Sequence, residues 1–381
     1  MLQFGESVHD LLKREGVSRR DFMKFCGLMA GALALPKSAA DEIARTLEST
    51  KRLPVVWLEL QDCAGCSEAF LRSSSPTAAE LVLDVLSVDY HETIMAASGF
   101  QAEKSKEDAL TAGGYILVVE GSISLAENGQ YCCIAGKSSR NILEEAAQNA
   151  VAIIAVGNCA TFGGVPAANP NPTGAVGVWD IIKDKPVINI PGCPMNPSNL
   201  TATVVHFLTF GKLPDMDSFN RPLFAFGRRI HDNCERRGHF DAGEFVMEWG
   251  DEGHRAGWCL YKMGCKGPAT YHNCPTIRFN GGTSWPIAAG HPCIGCSEPG
   301  FWNWEVYKPI YLNEVTPPTT YPTVENPERV ISPAAIAISG TAVGAITGAA
   351  GAFAYSALTK RSSGIAPEIE EEQPQEPPAE H

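Results

Sequence analysis

Between His231 and Cys296 the chain places six cysteines and one well-positioned histidine within 66 residues: His231-x2-Cys234, Cys259, Cys265, Cys274 and Cys293-x2-Cys296. Thiolate and imidazole are the soft donors that hold zinc or iron–sulfur clusters. Seven donors do not divide into zinc tetrahedra, which take four each. They do divide into a four-ligand and a three-ligand iron–sulfur cluster. His231 counts as a donor because it stands three residues ahead of Cys234. His239, His254, His272 and His291 lack such a context and read as structural or supporting residues.

A second set lies upstream, at Cys63-x2-Cys66, Cys159 and Cys193. The elements that must position it are strands. Pro54–Leu60, Tyr115–Glu120, Val151–Val156 and Val187–Ile190 are continuous apolar runs, and helical patterns are expected at Thr77–Val88 and Asn141–Ala150. Strands alternating with helices predict an α/β domain with a parallel sheet covered on both faces. In such sheets the functional site lies beyond the carboxyl ends of the strands. Three of the four runs end at cysteine and the fourth at Glu120, which reads as a cap or surface acid or as a supporting group for the thiols. Cys63-x2-Cys66 alone would equally suit a redox dithiol or half a zinc site. The two later cysteines, each at a strand end, complete the ligand count of a 4Fe-4S cluster.

The remaining cysteines need no site. Cys26 lies in an apolar leader, and Cys132 and Cys133 read as buried small apolar residues. Ten cysteines of thirteen plus His231 leave eleven donors, which is two 4Fe-4S clusters and one 3Fe-4S cluster. Three clusters make a wire for single electrons rather than a catalytic centre. An odd cysteine count argues against a disulfide framework, and a net charge of −13 argues against a nucleic-acid partner.

The ends read as addresses. Ser18-Arg19-Arg20-Asp21-Phe22 precedes an apolar run to Leu35 and small residues at Ser38–Ala40, the layout of a twin-arginine export signal over 1–40. Val330–Thr359 holds no charged residue and is long enough to span a bilayer, so a transmembrane helix is expected over 331–359. Lys360-Arg361 then opens an acidic, proline-rich tail over 360–381, placing the body on the extracytoplasmic, periplasmic side of the cell membrane. Between these ends, 54–210 is expected to form the sheet domain and 211–325 an irregular cysteine-rich domain whose fold rests on ligand bonds.

The motifs Asp62-Cys-Ala-Gly-Cys-Ser-Glu68, Gly157-Asn-Cys-Ala160, Pro191-Gly-Cys-Pro194, Arg229-Ile-His-Asp-Asn-Cys234, Cys259-Leu-Tyr-Lys-Met-Gly-Cys-Lys-Gly-Pro268 and Gly290-His-Pro-Cys-Ile-Gly-Cys296 make the chain resemble the small subunit of a membrane-associated NiFe hydrogenase over nearly its whole length. The resemblance implies a flavodoxin-like first domain. It implies a proximal 4Fe-4S cluster on Cys63, Cys66, Cys159 and Cys193, and a distal one on His231, Cys234, Cys259 and Cys265. A medial 3Fe-4S cluster would sit on Cys274, Cys293 and Cys296, with Pro286 where a fourth ligand would otherwise stand. H2 oxidation would occur in a separate nickel–iron large subunit, and this chain would pass electrons to a membrane acceptor, either a b-type cytochrome or a ferredoxin-like protein with a quinone-reactive partner. Another respiratory iron–sulfur electron-transfer subunit is the alternative. Oxygen-tolerant relatives add two cysteines around the proximal cluster. Gly65 and Gly164 stand at the corresponding positions, so a standard proximal cluster and an oxygen-inhibited enzyme are expected.

Overall fold

The computed structural model describes residues 18–49, 53–73 and 86–310. The expected span 331–359, the tail 360–381, the end of the 211–325 segment and the first seventeen residues lie outside the described residues. Among those described, no helix is long and apolar enough to cross a membrane.

Five strands form one sheet: β1 (Leu53–Glu59), β2 (Leu86–His91), β3 (Tyr115–Glu120), β6 (Ala150–Val156) and β7 (Val187–Ile190). Their order is β2-β1-β3-β6-β7 and every neighbouring pair is parallel. This is the flavodoxin-type order, in which the chain reverses its direction of winding after the first strand pair. Two short strands, β4 (Cys133–Ile134) and β5 (Lys137–Ser138), form a separate antiparallel ribbon.

Alternation along the strands divides the core in two, because successive side chains point to opposite faces. Val55, Trp57, Ile116, Val118, Ile154 and Ile188 pack on one face with α3 (Gly65–Leu71) and α7 (Pro197–Phe210). Val56, Leu58, Leu117, Val119, Ile153 and Val187 pack on the other with α4 (Phe100–Ala112) and α5 (Ser139–Ala147). Both faces are covered, which is why the strands read as unbroken apolar runs.

The strand β2 differs from expectation. The helical pattern read over Thr77–Val88 ends earlier, since Leu86–Val88 already belong to β2, and residues 77–85 lie outside the description. Leu86, Val88 and Tyr90 alternate with Ser87, Asp89 and His91. That is the period of an edge strand, and it follows directly on an apolar run that hides the change. The helix read as Asn141–Ala150 likewise starts at Ser139, capped by the Ser138 hydroxyl accepting from Asn141 N, and Ala150 opens β6.

The segment expected to be a leader takes part in the packing. Helix α1 (Arg19–Ala32) buries Phe22, Cys26, Met29 and Ala30 in the same cluster as Trp57 and Val205, joined by α2 (Ala39–Ser49) through Ile43 and Leu47. Arg19 and Arg20 remain exposed. Beyond Gly211, which ends α7 in a left-handed conformation, the described chain has only short helical turns around a third cluster: Ile230, Val246, Leu260, Trp285 and Ile287 with Cys265, Cys274 and Cys293.

Leu117 is fully buried at the centre of the sheet. Leu117→Ala is expected to lower stability by about 3 kcal/mol through lost burial and a residual cavity. A denaturant titration should show a lower midpoint at unchanged slope, and a loss below about 1 kcal/mol would contradict this packing.

Candidate metal-binding centres

The carboxyl ends of the strands deliver the first donors. After β1 the chain turns through Ala64 into α3, carrying Cys63 and Cys66. Cys159 lies in α6 (Gly157–Phe162), which starts at the end of β6, and Cys193 follows β7. Burial pushes the Cys66 thiol well up, and the charges of Glu120, Cys159 and Cys193 add to it. Cys159 is pushed up to about 12, by burial and then by Cys193; Cys193 is raised by burial and then by Cys63. The four thiols therefore lie within electrostatic reach of one another. Met195 N donates to Cys66 Sγ at 3.4 Å.

Two glycines make this approach possible. Gly157 has φ +78°, and a side chain there would collide with Cys66 Sγ. Gly164 has φ +59°, and a Cβ would lie 2.6 Å from Cys159 Sγ. No side chain fits at 164 without backbone movement. At Gly65 a Cβ would stand 3.1 Å from Cys63 Sγ.

Beneath these thiols lies a buried acid network. Glu120 Oε1 accepts from Cys66 N at 2.8 Å, and Oε2 accepts from Ser67 N at 3.0 Å and Trp57 Nε1 at 3.3 Å. The Ser67 hydroxyl is 2.5 Å from Glu120 Oε2 and 3.1 Å from Glu59 Oε1, and has one proton for the two. His91 Nε2 is 3.2 Å from the same hydroxyl. Burial raises Glu120, and burial with the Glu120 charge holds Asp62 up at about 7. Glu92 is raised to about 7 by burial and then by Glu59. Glu120 thus caps the first turn of α3 through two backbone N–H groups from a buried position, so it is not a surface acid.

The second set surrounds a cavity. His231, Cys234, Cys259 and Cys265 line it together with Phe240, Tyr261 and Pro268. Nε2 of His231 is buried with no hydrogen-bond partner among the described residues. Burial and then Arg237 lower His231 to about 4, so its imidazole is neutral, the form that ligates a metal. Its ring is fixed edge-on against Phe240 at 4.5 Å. Arg236 N donates to Cys234 Sγ and Gly267 N to Cys265 Sγ, both at 3.4 Å.

The third set lies between the other two. Cys274, Cys293 and Cys296 open with Cys193 on a cavity of about 860 Å³ that Trp285, Pro286 and α1 also line. Burial raises all three thiols, with Cys296 adding to Cys274, Cys265 and then Cys296 to Cys293, and Cys193 to Cys296, which reaches about 11. The three sets are also tied physically. Asn158, beside Cys159, donates through Nδ2 to Cys296 O at 2.8 Å and Glu298 O at 3.2 Å. Lys266 N, beside Cys265, donates to Cys293 O at 2.7 Å.

The donor chemistry fits iron–sulfur clusters: soft thiols in groups, an orphaned neutral imidazole facing three of them, and glycines where a Cβ would displace sulfur. All thirteen cysteines are free. Cys133, in β4, is exposed and so is not the buried apolar residue expected; Cys132, just before β4, is partly buried and packs against the core on the second face of the sheet, and neither joins a donor set. Sequence reading missed Asn158, Arg221 and Glu298. Arg221 binds Asp217, Glu298 and Ser297 O while buried. Asn158 and Glu298 each lie one or two residues from a ligand-type cysteine, a usable signal; Arg221 carried none.

Residues 226–308 match the family model for the C-terminal part of the NiFe/NiFeSe hydrogenase small subunit, and 63–207 match NADH ubiquinone oxidoreductase, 20 Kd subunit. The chain is 48% identical over 343 residues to the hydrogenase-2 small chain of Escherichia coli K12, covering 89% of this chain and 92% of that one. It is 50% identical over 297 residues to the quinone-reactive Ni/Fe-hydrogenase small chain of Wolinella succinogenes, covering 77% and 84%. It is 51% identical over 301 residues to the periplasmic NiFe hydrogenase small subunit 1 of Nitratidesulfovibrio vulgaris, covering 78% and 95%. Its fold is similar to the Ni-Fe-Se hydrogenase from Desulfomicrobium baculatum, with TM-score 0.64, 33% identity, and coverage of 68% of this chain and 100% of that one.

Two outcomes follow from the acid network. Glu120→Ala leaves the buried Cys66 and Ser67 N–H groups unsatisfied, at about 1–3 kcal/mol each. Thermal unfolding should drop by several degrees, with Glu120→Gln losing less because its amide oxygen still accepts; equal losses would contradict the role. Glu92 keeps its proton in the folded chain to about pH 7, while its ordinary value is 4.5. The folded state therefore holds more protons across that window, and stability falls as pH rises through it. Glu92→Gln should melt above the parent at pH 8 and level with it at pH 4; a constant difference would refute the linkage.

Proposed function

The chain belongs to the family of NiFe hydrogenase small subunits, and from that premise we propose that its eleven donors hold three iron–sulfur clusters in series. It is the electron-transferring subunit of a hydrogenase and works as a heterodimer with a nickel–iron large subunit. The single observation that carries the proposal is the chain of donor sets: Cys63, Cys66, Cys159 and Cys193 reach Cys274, Cys293 and Cys296 through Cys193 and Asn158, and these reach His231, Cys234, Cys259 and Cys265 through Cys293 and Lys266.

When bound, each cluster supplies one-electron redox chemistry. We assign the first set to a proximal 4Fe-4S cluster, the Cys274 set to a medial 3Fe-4S cluster and the His231 set to a distal 4Fe-4S cluster. The protein's part is to hold sulfur and imidazole donors in place, to exclude water by burial, and to aim N–H groups at Cys66, Cys234, Cys265 and Cys293. A neutral His231 donor leaves its centre with one negative charge fewer than a fourth thiolate would, which favours the reduced state there. Close packing at Gly164 supports a standard proximal cluster, since a supernumerary cysteine has no room.

The alternative, a different respiratory iron–sulfur subunit, draws on the match over 63–207. That stretch excludes all seven later donors, so it accounts for the first set alone. Residues 331–359 are assigned as a bilayer anchor and 1–40 as a twin-arginine leader, placing the body on the periplasmic side. The quinone-reactive and periplasmic names of the relatives support a membrane acceptor, either a b-type cytochrome or a ferredoxin-like protein with a quinone-reactive partner.

His231→Ala in the heterodimer separates conduction from chemistry. Hydrogen–deuterium exchange at the large subunit should persist, while H2-driven reduction of an external acceptor falls about tenfold or more. Equal loss of both, or of neither, would contradict a conducting role. Acceptor reduction by the parent enzyme is expected to stop in air, and sustained turnover would refute the standard proximal cluster.

A further inference from the structure

His272 is buried two residues ahead of Cys274, with Nδ1 3.0 Å from Cys274 Sγ. Its Nε2 is buried and has no hydrogen-bond partner among the described residues. A free thiol can donate to an imidazole, but a thiolate bound to iron carries no proton and only accepts. Resting on the reading of Cys274 as a medial-cluster ligand, we infer that His272 is a positioning residue held as the Nδ1–H tautomer, donating to Cys274 Sγ and raising the potential of the three-iron cluster.

The ring is aimed by a frame. Phe226 stands edge-on to it, with ring centroids 5.1 Å apart at 90°. His272 N donates to Arg228 O at 3.2 Å. On one side Tyr271 N donates to Glu298 Oε1 at 2.6 Å, and Ser297 Oγ donates to Tyr271 O at 3.0 Å. Buried Arg221 holds Glu298 Oε1 at 3.0 Å and Ser297 O at 3.2 Å. The histidine of one ligand loop is therefore pinned to the loop that carries Cys296. The pattern is also particular to this sulfur. Cys234, Cys265 and Cys293 each take the backbone N–H of the residue two places on, whereas Cys274 takes a side-chain nitrogen from two places back. A hydrogen bond to a ligand sulfur draws charge from it and stabilises the reduced cluster.

The test is a redox titration of the heterodimer with its clusters in place, read by the electron paramagnetic resonance of the oxidised three-iron cluster. In His272→Phe, which keeps a ring against Phe226 and loses the donor, the reduced-to-oxidised ratio at the parent midpoint should fall about tenfold, which is about 59 mV for one electron. The other two midpoints should hold, and His272→Gln, which retains an N–H donor, should recover part of the shift. A three-iron signal with its midpoint unmoved in His272→Phe overturns the inference alone. Absence of any three-iron signal in the parent overturns the medial-cluster reading and this inference with it. The unsubstituted protein gives an independent check if the variants do not fold. With ¹⁵N-histidine, pulsed resonance on the oxidised three-iron cluster should detect one weakly coupled histidine nitrogen, and its absence overturns the inference.

Discussion

The structure is organised around the difficulty of burying many ionisable sulfurs close together. Cys66, Cys259, Cys265, Cys274 and Cys293 are buried, and burial pushes each thiol up; at all of them but Cys265, neighbours of like charge push further in the same direction. Left alone, such groups would stay protonated. As ligands they would be thiolates, held chiefly by the positive charge of the metal, with Lys266 and Arg236 adding to it at Cys265. Backbone N–H groups at 3.4 Å supply the remainder, and the neutral His231 removes one charge from its set. In the second half of the chain short turns surround a small apolar cluster containing three of the sulfurs, so ligand bonds formed there would add directly to its folding free energy.

The two halves solve the positioning problem differently. The first uses a rigid parallel sheet whose strand ends converge on one edge, with Glu120 reaching from β3 to fix the backbone of Cys66 and Ser67. The second has no sheet among the described residues; it is tied to the first by Asn158 to the Cys296 loop and Asn196 to Arg278 O, and braced within itself by Arg221 through Glu298 to Tyr271. Conduction needs short, fixed separations between centres, and these few polar contacts join the backbones that carry them.

Much of this was legible in the sequence because the signals were local. Apolar runs ending at Cys63, Cys159 and Cys193 revealed both the parallel sheet and the edge at which donors gather, and close spacing marked His231 with Cys234. What stayed hidden depends on contacts between distant segments. Nothing in Arg221 itself says that it bridges Asp217 and Glu298, and the partition of the later donors into two groups is a fact of three dimensions. The strand β2 was obscured because a period-two run follows directly on an apolar stretch of helical pattern. The burial of Cys26 and Met29 against the sheet face was likewise invisible, since a leader read as an address says nothing about where its apolar side rests.

Three separate iron–sulfur sites in a row are proposed for these donors. Mössbauer spectroscopy of the oxidised, ⁵⁷Fe-enriched heterodimer tests this proposal most directly. About eleven irons are expected on this chain, as two diamagnetic four-iron clusters and one magnetically split three-iron cluster, separate from the iron of the large subunit. About four irons, or a spectrum without the three-iron component, would contradict it.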